Sequence, residues 1–120
     1  MPDQAFNREI RSPAVGAKLN RILSGFPDIS ANEALEIFRP ICLRAEIVRG
    51  KKSHKRFRDR IQQMEYWADG FFQGGHQDVA IVSAVLRNDP PYVVVFIVRD
   101  YKQFCSDLED AVSPVIVHHS

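Results

Sequence analysis

Residues 41–48, ICLRAEIV, stand between Pro40 and Gly50, and whether they are helix or strand decides how the rest of the chain is layered. Leu35, Phe38, Cys42 and Ala45 keep helical spacing through this stretch, whereas Ile41, Leu43, Ala45 and Ile47 alternate as a strand would. Pro40 lacks the backbone donor of an unbroken helix, so the reading favoured is a kinked or restarted helix, with a strand as the alternative.

Upstream, Ser12 and Pro13 form a cap followed by proline at the first helical position, and Val15, Leu19, Ile22 and Leu23 recur at helical spacing until Gly25 and Pro27. The stretch SANE sets Ser30 at a cap and Glu33 three residues on, the pattern of a capping box. Downstream the chain restarts at Ser53. Phe57, Ile61, Met64 and Ala68 make one apolar stripe of a helix reaching about Asp69, and GFFQGGH then reads as a turn.

DVAIVSAVL and YVVVFIV, separated by RNDP and a second proline, read as a β-hairpin with a loop of about four residues. Its second strand is apolar on both faces and is expected to be central. Asp100 and Gln103 open a last helix that Pro114 is expected to stop, leaving VIV as a short final strand. A helix between two strands normally makes them parallel. The expected fold is therefore α+β: three N-terminal helices packed on a C-terminal ββαβ unit with a small mixed three-stranded sheet.

With 120 residues the chain has room for one domain, 1–120, whose ends 1–12 and 118–120 are expected to be mobile. Its 45% hydrophobic and 26% charged residues are those of an ordinary globular protein. The beginning lacks the apolar segment of a secretory signal, and YVVVFIV is far shorter than the roughly twenty residues of a membrane helix. The expectation is a cytoplasmic protein with no membrane contact. Cys42 and Cys105 have neither metal-site nor redox-motif spacing and read as reduced core residues.

The charge is uneven: residues 1–60 hold thirteen Lys or Arg against seven Asp or Glu, and residues 61–120 hold three against eight. Seven of those cations fall in residues 49–60, RGKKSHKRFRDR. Arg49, Lys51, Lys52, Lys55, Arg56 and Arg58 are the candidate contacts for a nucleic acid or an acidic protein surface. On a helical projection centred on Phe57 they wrap the helix instead of forming one stripe, and Asp59 is placed to neutralise Lys55. Three helices followed by a hairpin resemble the order of a winged-helix domain, which would make residues 53–69 the recognition helix.

The hairpin register pairs Arg87 with Tyr92 and Val79 with Asp100, bringing His76, Asp78, Asp100 and Lys102 to one end of the sheet. A carboxylate on one strand, D-x-K at the end of the next and then a helix is similar to the core of the PD-(D/E)XK nucleases. That resemblance implies a divalent cation on Asp78 and Asp100, with Lys102 orienting water or phosphate and Glu65 approaching from the preceding helix. The competing reading is that Asp78 and Asp100 simply end strands and cap helices. His118 and His119 read as unstructured surface.

Trp67, Phe71 and Phe72 beside a glycine turn are the candidate anchors for a protein partner. With no convincing catalytic set, the expected function is non-enzymatic: a small regulatory or inhibitory domain that binds a protein partner or self-associates. No cofactor or metal is expected. The alternative is a nucleic-acid protein using residues 49–60, in its enzymatic form a metal-dependent nuclease using Asp78, Asp100 and Lys102.

Overall fold

The computed structural model describes residues 13–75 and 78–119. In chain order it holds α1 (Pro13–Ile22), α2 (Ala31–Phe38), a 3₁₀ turn (Arg39–Ile41), β1 (Arg44–Arg49), α3 (Lys55–Gln73), β2 (Ala80–Asn88), β3 (Pro91–Val98) and α4 (Tyr101–His119). The proposed cap at Ser12 and the segment 1–12 lie outside the described residues, as does His76.

The stretch 41–48 resolves as a strand for most of its length, correcting the favoured helical reading. Pro40 tightens the end of α2 into the 3₁₀ turn, and Cys42 then turns extended at φ −145° and ψ 172°. Ala45 and Ile47 face one core while Val48 faces the other, the alternation of a pleated strand. Phe38 and Ala45 do share a core, which is why their helical spacing misled.

The strand order is β1-β3-β2, and β3 is antiparallel to both neighbours, so the sheet is antiparallel throughout and not mixed. β1 and β2 therefore run parallel to each other with β3 between them, a split β-α-β unit whose crossover is α3. The parallel rule applies to the strands around α3, not to those around α4. No terminal strand forms, because α4 continues through Pro114 to His119. Val112 and Ile116, four residues apart, stay on one face and pack into the core of α1 and α2, which offsets the hydrogen bond lost at the proline. His118 accordingly belongs to the last turn of a helix.

The three helices expected in the N-terminal part all form, but β1 intervenes between the second and the third, and α1, α2 and α4 cover one face of the sheet while α3 alone covers the other. The first core is threaded by four aromatic rings, Phe26 to Phe38 at 5.4 Å, Phe38 to Phe96 at 5.3 Å and Phe96 to Phe104 at 4.8 Å between centroids. Residues 93–98 of β3 are all buried, as a central strand covered on both faces requires. Ser30 caps α2, its Oγ accepting from the Glu33 N–H at 3.1 Å.

The hairpin closes at Asp89 and Pro90, with Asn88 opposite Pro91 and Arg87 opposite Tyr92 as expected. A bulge between Val85 and Arg87 then shifts the ladder by one, leaving Ala80 opposite Val98. The outer edge of β2 is engaged by other elements: Asn20 of α1 accepts from the Val85 N–H at 2.9 Å, and Lys52 Nζ donates to the Ser83 carbonyl at 3.3 Å. β1 forms the opposite edge, and among the described residues no further strand pairs with it.

Candidate interaction surface

The chain turns from β1 into α3 at Gly50, whose φ of +112° is the left-handed region that glycine tolerates. A Cβ there would also lie 2.8 Å from His54 Nδ1. His54 is the N-cap residue of α3, but its Nδ1 accepts from the Lys51 N–H at 3.2 Å and its side chain caps nothing inside the helix. The first turn of α3 carries no acidic residue, so Lys55, Arg56 and Arg58 stand at the positive end of the helix dipole. Phe57, Ile61, Met64 and Ala68 are buried against the sheet, as their spacing predicts.

The cations of residues 49–60 do not converge. Arg49 belongs to β1 and lies against Tyr92, its guanidinium carbon 5.2 Å from the ring centroid, on the α2 side of the sheet. Lys52 reaches the β2 edge, Lys55 pairs with Asp59 at 3.4 Å, and Arg60 binds Glu46 at 3.1 Å. Lys52, Lys55 and Arg58 border one shallow hollow that also holds Asp59 and Glu65. Lys51 and Arg56 are exposed. α2 and α3 lie on opposite faces of the sheet, so these two do not form a helix-turn-helix and the winged-helix order is not realised.

A different group does come together, on the flank of α3 that faces β1. Glu46 accepts from Arg44 Nε at 2.7 Å and from Arg60 Nη1 at 3.1 Å, and Arg60 donates also to Gln63 Oε1 at 2.8 Å. Arg44 stacks over Trp67 with its guanidinium carbon 4.4 Å from the ring. Trp67 is 41% exposed, and Tyr66 on the outward pole of the helix is 78% exposed. Residues 70–73 continue α3 and do not form the expected turn, because Gly70 passes within the helix and the break comes at Gly74 and Gly75. Phe71 packs under the sheet, whereas Phe72 is 37% exposed.

Of these residues, Arg44, Glu46, Arg60 and Tyr66 were not among the candidates read from the sequence. Tyr66 was within reach of simple arithmetic: nine residues after Phe57 at 100° each, it stands 180° from the buried stripe. Arg44 and Glu46 were not, because their side was undefined until residues 44–49 were known to be a strand.

Asp78 and Asp100 do lie at the same end of the sheet, beyond Ala80 and Val98. Asp100 Oδ1 accepts from the N–H groups of Lys102 at 3.1 Å and Gln103 at 3.2 Å, the geometry of a helix cap. Asp100 borders a hollow with Cys42, Gln103 and Asp107, while Glu65 borders the separate one beside Arg58. Among the described residues no three His, Cys, Asp or Glu side chains are grouped to hold a metal ion. Among them, too, no helix is long and apolar enough to cross a membrane.

Compared with known proteins, the chain matches no family model, no curated protein sequence and no solved structure.

Proposed function

We propose that this chain is a cytoplasmic, non-enzymatic protein-interaction domain of the regulatory or inhibitory kind, and that it holds its protein partner on the β1 flank of α3. The observation that carries this reading is the Arg44, Glu46, Arg60 and Trp67 assembly beside the edge of β1, which no other strand of the described residues covers, with Tyr66 next to it. Trp, Tyr and Arg are the residue types that dominate binding energy at protein interfaces. An ion-paired arginine stacked on a half-exposed indole is an anchor already ordered before contact, which lowers the entropic cost of binding. The cation-loaded start of α3 favours an acidic partner surface, since negative charge there would relieve the unfavourable helix-dipole arrangement. Reduced Cys42 and Cys105 fit a reducing compartment.

The test places a photo-crosslinking phenylalanine analogue at position 66 and irradiates intact cells. The expected result is one discrete adduct, lost when Trp67→Ala or Arg44→Ala is combined with the probe while circular dichroism shows the fold retained. An adduct between two copies of the chain would make the partner a second protomer. Absence of any adduct, or one indifferent to both substitutions, would sink the proposal.

The same uncapped, cationic helix start supports a second reading, a phosphate backbone held by Lys51, Lys55 and Arg56. It predicts binding to labelled DNA or RNA that falls steeply between low and physiological salt and disappears when those three residues become Glu. Lys52 is left unchanged in that variant because it bonds to the Ser83 carbonyl.

A further inference from the structure

On the opposite side of the sheet from α3, the register sets one residue from each strand in a single row: Arg49 of β1, Tyr92 of β3 and Arg87 of β2. Both guanidinium groups lie near the Tyr92 ring, at 5.2 Å and 6.0 Å from its centroid. The row depends on the β2 bulge. Ala84 faces Val94 and Val85 faces Val93, so without the extra residue Leu86 would stand opposite Tyr92 and Arg87 would fall outside the row. A bulge gives up regular ladder pairing, and such irregularities commonly re-aim a side chain toward a site.

Above the row lies a hollow of about 500 Å³, bounded on its far side by the loop from Phe26 to Ala31. That volume is within the range of small-molecule sites, roughly 300–1,000 Å³. Phe26, Ile47 and Leu86 contribute apolar side chains to a lining whose exposed surface is more polar than apolar. Asp28 at the rim pairs with Arg87. Arg49 has no such partner: among the described residues no carboxylate lies within ion-pair distance of it. Among the described residues the hollow thus carries one positive charge with no carboxylate partner, set beside an aromatic ring.

We infer that this hollow is a binding site for a small organic monoanion with a flat apolar body. Its carboxylate or equivalent head sits on Arg49, and its body lies against Tyr92, Ile47 and Leu86. A bare inorganic ion would surrender its hydration for a single arginine, whereas a flat body also gains contact with the Tyr92 ring and the Ile47 and Leu86 side chains. Arg87, held in place by Asp28, orients the Tyr92 ring and does not compete for the head.

The probe is 2-naphthoate, with the uncharged 2-naphthamide as its counterpart, titrated into the ¹⁵N-labelled full chain and followed by amide chemical shifts. Naphthoate is expected to shift Ala31, Ile47, Arg49, Arg87 and Tyr92. Arg49→Gln should weaken binding roughly tenfold, as should use of the amide, the scale of losing one charge-assisted hydrogen bond. Arg56→Gln, on the other face, should leave it unchanged. No shift at millimolar naphthoate, equal binding of the amide, or shifts centred on α3 would each overturn the assignment. Trp67→Ala should have no effect here, so this site and the α3 surface stand or fall separately.

Discussion

Cys42 sits where the 3₁₀ turn opens into β1, its Sγ donating to the Phe38 carbonyl at 3.3 Å. Burial pushes its thiol up to about 12 from an ordinary 9.0, only partly opposed by the Arg44 backbone and the Arg39 charge. A folded-state value above the unfolded one contributes stability that is complete below pH 9 and is lost as pH climbs from 9 toward 12, because the unfolded thiol ionises first. Denaturant unfolding at about pH 8 and pH 10.5 should therefore show the wild type losing about 2 kcal/mol more than Cys42→Ala over that interval. Equal losses would mean that the thiol titrates alike in both states. At this scale the sequence was informative in an uneven way. The opposition of Arg87 and Tyr92 followed from turn chemistry alone, while the cysteines, read as core residues from their apolar neighbours, are buried at Cys105 and half-buried at Cys42. The separation of Arg49 from Lys55 did not. It depends on strand parity, and residues 41–48 taken as a helix have no two faces to assign.

α3 was the most legible element, since Phe57, Ile61, Met64 and Ala68 define its buried stripe without ambiguity. Its first turn sets cations against the dipole with no acid to offset them. Arg56→Glu should accordingly raise stability by about 0.5 kcal/mol in urea unfolding, through the dipole and through a new pairing with Arg60 four residues on. A loss of stability would show that Arg56 makes a structural contact. The two prolines were misread in opposite directions, Pro40 given too little weight as a breaker and Pro114 too much. Pro40 was taken to kink a helix that in fact ends in a 3₁₀ turn, and Pro114 was taken to stop one that continues. At Pro114 packing outweighed the local signal, because Ile116 stays on the face that packs into the core, whereas at Pro40 the break is real and Ala45 reaches the same core on a strand. Gly70 was given the weight of a turn that Gly74 and Gly75 carry.

Two cores share one three-stranded sheet, and β3 contributes to both, with Val94, Phe96 and Val98 to one and Val93, Val95 and Ile97 to the other. Neither layer has a strand of its own, so the molecule should unfold as one unit. Trp67, the single tryptophan, reports on the α3 layer, and far-ultraviolet circular dichroism reports on the whole. The two transitions should coincide in the wild type and also in Met64→Ala, which removes a fully buried side chain at a cost of about 3 kcal/mol. An earlier fluorescence transition would reveal an α3 layer that melts alone. The placing of β3 between β1 and β2 also bears on how the chain is made. Arg44 pairs with Ile97, 97 − 44 = 53 positions later. During translation β1 and α3 leave the ribosome with their partner strand unmade, and at about 5–20 residues per second roughly three to ten seconds pass before it follows. Until β3 emerges, β1 has no strand to pair with, and the apolar stripe of α3 lacks the completed sheet that buries it.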